Sequence, residues 1–98
     1  MSSDISNFKK LEELCKEFLN DSDKDFGNEF FRLIPYQNIF GFITFEEDLI
    51  IDSYEFSIKV TKFPFSNPRI KVKVYNVEDK KDSKSKTYII QNFKNNNT

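Results

Sequence analysis

The chain contains few side chains that could carry out covalent chemistry. It has one cysteine, Cys15, and no histidine among 98 residues. A Ser-His-Asp triad, a Cys-His pair and a histidine- or cysteine-based zinc site all require residue types that this composition lacks. The sequence therefore predicts a protein that is not an enzyme, with no catalytic residues, no cofactor and no metal ion.

Two acidic runs have spacings that could bind a cation. The run Asp21–Gly27 places an aspartate at every second position, as the first half of a calcium-binding loop does. The twelfth position of such a loop would be Arg32 instead of a glutamate, so we interpret this run as a solvated linker after a helix. The second run, Glu46-Glu47-Asp48, is interpreted as the tip of a hairpin.

Five basic residues lie in one regular segment, Tyr54–Val74. Apolar and polar residues alternate on both sides of a central turn, which predicts two antiparallel strands with one buried and one exposed face. The exposed face carries Lys59, Arg69, Lys71 and Lys73. We predict that these four residues bind a partner. The alternative is that they are ordinary solvated strand positions, where lysine shields a sheet edge.

Charge is distributed unevenly along the chain, although the net charge is only −1. Residues 1–58 hold 5 basic against 13 acidic residues, and residues 59–98 hold 10 against 3. We expect the two halves to neutralise each other when they fold into one layer. The alternative is a basic face that binds an acidic surface or a nucleic acid.

The elements that must position these residues begin with a helix. Apolar residues recur at helical spacing from Ile5 to Leu19, which predicts an α-helix over about residues 4–20. Cys15 lies in the middle of the apolar face. We therefore expect a buried, unreactive thiol with a raised pKa.

A sheet is predicted after this helix, over about residues 29–75. Its earlier strands are Glu29–Ile34, Ile39–Phe45 and a short Leu49–Ile51. Since Ile39–Phe45 is apolar on both faces, it should be central or contact a partner. Phe40 and Phe42 share one side of it and are candidate partner-binding residues.

The remainder of the chain is predicted to be less regular. Residues 76–86 are predicted to form a charged loop, and residues 94–98 a frayed tail. Residues 87–93 are predicted to form a last element that is either a strand or a short helix. The fold class is therefore α+β, in a single domain over 1–98. An N-terminal helix packs on an antiparallel β-meander of four to five strands.

The turn at the centre of the basic segment reads Phe63-Pro64-Phe65-Ser66-Asn67-Pro68. Its two prolines end one strand and allow the next to restart. A helix, a meander and this turn together resemble the RWD and ubiquitin-conjugating-enzyme-like fold, over about residues 4–75. That family carries an aromatic-Pro-x-x-x-Pro element between its third and fourth strands, which Phe63, Pro64 and Pro68 match. The resemblance implies that the Phe63 ring tucks inward and that the chain lacks the family's C-terminal helices.

The resemblance also implies a function without catalysis. Active members of the family place a nucleophilic cysteine after the fourth strand, downstream of a His-Pro-Asn element, and this chain has no histidine and no cysteine beyond Cys15. We therefore expect a non-catalytic protein-interaction module that docks a partner protein. A ubiquitin-like protein, or a component of a ubiquitin-like conjugation pathway, is the candidate partner.

Two other functions fit the same residues. One is a nucleic-acid-binding domain that uses the basic C-terminal half. The other is a dimerising assembly subunit, for example of a virus or a mobile element. Phe40 and Phe42 would then lie in the interface between two copies of the chain.

The compartment is predicted from the single cysteine and from the N-terminal residues. One cysteine excludes an internal disulfide, and the first residues lack a basic start followed by an apolar run. We expect an intracellular, cytoplasmic protein without a membrane partner.

Overall fold

The computed structural model of the chain describes residues 2–21, 23–91 and 93, with the side chains of residues 2–7 left out. Helices α1 (Ser2–Asn20) and α2 (Gly27–Leu33) precede four strands, which are β1 (Ile43–Ile51), β2 (Tyr54–Lys62), β3 (Arg69–Asn76) and β4 (Ser83–Ile89). The strands form one antiparallel sheet in the order β1-β2-β3-β4. The predicted α+β class, with an N-terminal helix packed on an antiparallel meander, is confirmed. The predicted tail over 94–98 lies outside the described residues.

Strands β2 and β3 form the centre of the sheet. Their inner faces are buried throughout, as the alternation predicts. The facing pairs are Phe56 and Val74, Ile58 and Val72, and Val60 and Ile70. Burying an apolar side chain of this size contributes roughly 1.5–3 kcal/mol, so this pair of strands supplies much of the core.

Helix α1 lies across the inner face of the sheet. Its buried residues are Leu11, Leu14, Cys15 and Phe18, which share the predicted apolar face. At its C-terminal end, the ammonium of Lys84 in β4 donates a hydrogen bond to the carbonyl of Leu19 (2.8 Å). The helix begins two residues before the predicted start, and Ile5 lies outside the described side chains.

The predicted strand Glu29–Ile34 is wrong, because residues 29–33 belong to helix α2 and Ile34 is the residue that caps its C-terminal end. Helical spacing buries Phe30 and Phe31 and leaves Arg32 exposed, whereas strand alternation would put Arg32 on the same face as Phe30. The rings of Phe18, Phe26 and Phe30 pack edge to face, with centroids 6.0, 6.1 and 6.4 Å apart. This aromatic cluster joins α2 to α1.

Helix α2 starts against strand β4. A Cβ added at Gly27 would lie 2.7 Å from the Cβ of Tyr88, so only glycine permits this approach. The Gly27 N–H donates to Oδ1 of Asp25 (2.9 Å). A carboxylate of the acidic linker therefore serves the start of α2.

Strand β1 is longer and placed later than predicted. The expected strands Ile39–Phe45 and Leu49–Ile51 are replaced by the single strand Ile43–Ile51. Glu46-Glu47-Asp48 is not a hairpin tip, because it pairs with β2 in the middle of β1. Apolar residues keep a period of two on both sides of the triplet, and an edge strand leaves room for its charges in solvent.

Strand β4 also corrects the sequence prediction. Residues 83–86, expected in the charged loop, are the first half of the strand, and the last element is a strand that ends at Ile89. The sheet therefore extends to residue 89 instead of 75. The pattern Ser83-Lys84-Ser85-Lys86 has no apolar alternation because β4 is an edge strand with little buried surface.

The Phe63–Pro68 turn joins β2 to β3. It follows the second strand, whereas the sequence prediction put four strands before it and the resemblance put it after the third. The number falls from four to two because α2 replaces one predicted strand and β1 merges two others. Pro68 is fully buried, and its carbonyl accepts a hydrogen bond from the N–H of Ile90 (2.9 Å). Pro68 is thus the inward-facing member of the motif.

Candidate interaction surface

Two loops project from the same end of the sheet, one between α2 and β1 and the other between β2 and β3. In the first, Ile39 and Phe42 exchange two backbone hydrogen bonds of 2.9 Å around Phe40 and Gly41. The Gly41 N–H donates to Oδ1 of Asn38 (3.0 Å), and Gly41 has a φ of +88°. Phe40 and Phe42 are therefore in a tight turn and not on a strand, since the Asn-capped turn competes with strand formation here.

Large apolar side chains are exposed on both loops. We call Ile39, Phe40, Phe42, Phe63 and Phe65 the aromatic end. Phe63, whose ring the resemblance placed inside, is 61% exposed. The reason is that its ring packs edge to face on Phe42 of the other loop, at a centroid distance of 6.0 Å, and not on the core.

Phe40 and Phe65 combine two unfavourable features. Phe40 is 92% exposed and Phe65 is 98% exposed. Both have left-handed backbones, with φ of +54° and +65°. This conformation costs a residue with a Cβ about 1–2 kcal/mol and normally selects glycine or asparagine. Neither phenylalanine repays that cost by burial within the chain.

A buried lysine holds the two loops together. Lys62 is 2% exposed, and its ammonium donates to the carbonyls of Gly41 (2.8 Å) and Phe63 (3.2 Å). The same ammonium lies 5.4 Å from the ring centroid of Phe93. These bonds tie the backbones of the two loops to each other at the aromatic end.

The four predicted basic residues lie on the outer face of β2 and β3, and all are exposed. We call Lys59, Arg69, Lys71 and Lys73 the basic strip. Lys59 faces Lys71 across the sheet and Glu46 on its other side. Facing like charges destabilise a sheet by up to about 1 kcal/mol. In the part of the chain that the structure describes, the one ion pair is Lys24–Glu29 at 3.8 Å, so the expected neutralisation does not involve ion pairs to this strip.

Acidic residues are missing from the sequence around the aromatic end. Residues 33–45 contain no charged residue, and the only charged residues in the range 60–70 are the basic Lys62 and Arg69. The acidic residues lie elsewhere, in α1, in the linker to α2, in α2 itself (Glu29), in β1, in β2 (Glu55) and in the turns at the opposite end of the sheet. The local charge of this end is therefore positive.

A hollow of about 700 Å³ connects the aromatic end to the basic strip. We call it the Phe63 hollow. Its apolar walls are Phe63, Pro64 and Ile89, and Arg69 lines it on the side of the strip. Phe63 belongs to the aromatic end and Arg69 to the basic strip, so the two surfaces meet at this hollow, while Phe40, Phe42, Lys59, Lys71 and Lys73 lie outside it.

Sequence reasoning missed three exposed residues of this surface, Ile39, Phe65 and Ile89. Phe65 had a detectable signal, because the middle of a turn that contains proline projects from the fold. Ile89 had none, since its role depends on the pairing of β4 with Arg69 in β3.

Two other reactive side chains of the described residues, Cys15 and Tyr75, are buried or hydrogen-bonded. Cys15 is fully buried, and its pKa is raised to about 12 by burial, with a smaller contribution from Glu12. The hydroxyl of Tyr75 donates to Oε1 of Glu55 (2.8 Å), a bond that raises the pKa of Tyr75. Within residues 2–21, 23–91 and 93, no three acidic, histidine or cysteine side chains are grouped as a metal site.

Comparison of this chain with protein-family models, curated proteins and solved structures finds no match. Among the described helices, neither combines the length and the apolar character needed to cross a bilayer.

Proposed function

We propose that this protein is a non-catalytic interaction module that docks a partner protein through the aromatic end and the basic strip. The observation that carries the proposal is the pair Phe40 and Phe65, which combine left-handed backbones with almost complete exposure. Residues that break a local rule without benefit to the fold are typical of functional sites.

The energetic argument concerns what a partner would cover. Each phenylalanine ring can bury roughly 150–250 Å², so covering Phe40 and Phe65 alone would remove several hundred Å² from water. Exposed aromatic residues in such clusters are the usual anchors of protein interfaces. Because Lys62 joins the backbones of the two loops, little backbone entropy is lost when both rings are engaged, and the remaining cost is the rotamer freedom of the rings themselves.

The charge of the surface favours an acidic partner. The positive end and the basic strip would attract a negatively charged protein and orient it before contact. A ubiquitin-like protein, or another component of a ubiquitin-like pathway, remains the candidate from the family resemblance. We place the interaction in the cytoplasm.

Site-specific photo-crosslinking in the native cell tests the proposal. A benzophenone amino acid would replace Phe40 or Phe65, and in matched controls it would replace Ile50 or Val77. The controls are exposed apolar residues near the other end of the sheet. We expect the same protein to crosslink to both positions of the aromatic end and to neither control.

Three outcomes contradict the proposal. Crosslinks to nucleic acid would favour the nucleic-acid function, and crosslinks to a second copy of the chain would favour the dimerising subunit. The same set of proteins at all four positions would mean non-specific adhesion of exposed apolar residues.

A further inference from the structure

The basic strip has a linear part along β3. Arg69, Lys71 and Lys73 occupy alternate positions, so their side chains leave the same face about 6.6–6.8 Å apart. Alternate residues of an extended peptide have the same spacing. A peptide laid along β3 would therefore bring every second side chain next to a cation.

Apart from Lys59, which faces Lys71, the residues that face this row are neutral, and most of them carry hydroxyl groups. Thr61 and Ser57 of β2 face Arg69 and Lys73, and on the other side β4 contributes Ile89, Thr87 and Ser85. No carboxylate therefore faces Arg69 or Lys73 on the neighbouring strands, so both cations can pair with a ligand. The hydroxyl groups can donate hydrogen bonds to peptide carbonyls.

The Phe63 hollow adjoins the first cation of the row. Arg69 lines the hollow, and Ile89, which forms one of its walls, pairs with Arg69 across the sheet. An apolar side chain in the hollow would contact Phe63 and Ile89, while a neighbouring carboxylate could form a bidentate pair with the guanidinium of Arg69.

A carboxylate-bearing peptide fits this surface better than a nucleic acid. Glu46 and Asp48 lie on the same outer face, two strands away from β3, and would repel a nucleic-acid duplex wide enough to reach them more than a single peptide chain that stays over β3. Tyr75, the aromatic residue at the far end of the row, has its hydroxyl bound to Glu55, so a base that stacks there would meet a carboxylate.

We propose that the partner binds as an extended acidic segment along β3. Carboxylates at alternate positions pair with Arg69, Lys71 and Lys73, and an apolar side chain at one end of the segment fills the Phe63 hollow. This inference rests on the proposed function, since it specifies which part of the partner is recognised.

Fluorescence anisotropy with synthetic peptides tests the spacing. The probe is a labelled peptide with phenylalanine followed by three glutamates at alternate positions, separated by serines, and its reversed sequence is a second probe because either direction is allowed. The control has the same composition with the glutamates contiguous. We expect one of the two alternating peptides to bind about tenfold more tightly than the contiguous control, the equivalent of one well-placed ion pair.

Variants of the protein test the individual contacts. Arg69→Gln should weaken binding of the alternating peptide about tenfold, whereas Lys80→Gln, the same charge change in the exposed β3–β4 loop, should have a much smaller effect. Ile89→Ser should weaken binding of the phenylalanine peptide but not of a peptide with serine at that position. Thermal unfolding of each variant checks that the fold is retained.

Equal binding of the alternating and contiguous peptides would overturn the inference, as would equal effects of Arg69→Gln and Lys80→Gln. So would tighter binding of a single-stranded oligonucleotide with the same number of charges. Any of these results combined with specific crosslinking at Phe40 and Phe65 would leave the proposed function standing with a different recognition element. Loss of the crosslinking as well would reject both.

Discussion

Replacing Phe40 and Phe65 with asparagine should make the protein more stable while it loses its partner. Each of these residues has a left-handed backbone, and asparagine tolerates that conformation better than phenylalanine does. The rings are 92% and 98% exposed, so each is nearly as hydrated in the folded state as in the unfolded state. Their removal therefore costs the fold almost no burial.

The size of the stability gain follows from the cost of the left-handed backbone conformation alone. The left-handed conformation costs about 1–2 kcal/mol for a residue with a Cβ, and asparagine should recover about half of that at each position. The double variant Phe40→Asn, Phe65→Asn should thus gain about 1–2 kcal/mol in free energy of unfolding. For a domain of this size, each kcal/mol raises Tm by about 4–8 °C.

Urea denaturation and thermal melts of the wild type and the double variant measure the stability. The matched control is Phe63→Asn, an exposed phenylalanine on the same turn whose φ is not positive. This control should lower the stability by about 0.5–1.5 kcal/mol, because it removes the edge-to-face contact with Phe42.

Affinity for the partner should change in the opposite direction from stability. The partner identified by crosslinking should bind the double variant at least tenfold more weakly, as expected when interface anchors are removed. A double variant that is less stable than the wild type would refute the argument from backbone strain. A more stable variant with unchanged partner affinity would refute the functional reading of the two residues.

Three further predictions concern the parts that support this surface. Gly27→Ala should destabilise the fold by about 1–3 kcal/mol in urea, because its Cβ would lie 2.7 Å from that of Tyr88. Lys62→Met should cost about 1–3 kcal/mol and shift the NMR signals of both loops, because the Gly41 carbonyl loses its buried donor. Cys15 should resist iodoacetamide at pH 8 unless the chain is unfolded. Because burial raises the pKa of this thiol to about 12 in the folded protein, ionisation of the thiol in the unfolded chain, from about pH 8.5, should lower the free energy of unfolding progressively as the pH rises towards 12.

The first two predictions have a control on the same element, and the third is checked with a variant of Cys15 itself. Asn28→Ala changes an exposed residue and should alter the stability by less than about 0.5 kcal/mol. Lys59→Met also changes an exposed residue, and it should not lower the stability by more than about 0.5 kcal/mol, because it removes the like charge that faces Lys71. Effects equal to those at Gly27 and Lys62 would contradict the packing arguments. For the thiol, the pH dependence of unfolding should be weaker in Cys15→Ala than in the wild type, and identical slopes would contradict the assignment.

The elements with a strong period were predictable from the sequence. Helix α1 and the β2–β3 pair each bury one face, and their apolar residues repeat at 3.6 or 2 positions regardless of what packs on them. The burial of Cys15 and the exposure of Lys59 and Arg69 follow from those periods alone.

Other elements depended on neighbours that no local pattern reveals. The apolar run around Phe30 and Phe31 suits a strand or a helix, and contact with Phe18 in α1 selects the helix. Strand β4 carries almost no apolar signal, because pairing with β3 at the sheet edge, not burial, holds it in place.

For the candidate site, too, some features follow from the sequence and others only from the tertiary structure. The sequence by itself determined which residues are basic, which are aromatic, and which of the basic residues share one face of the sheet. Only the tertiary structure decided that Phe40 and Phe65 project from one end, that Lys62 joins their loops, and that Arg69 lies at their border. The physical reason is that loop conformation is set by hydrogen bonds and packing between segments distant in sequence, whereas a strand face is set by the backbone of the strand itself.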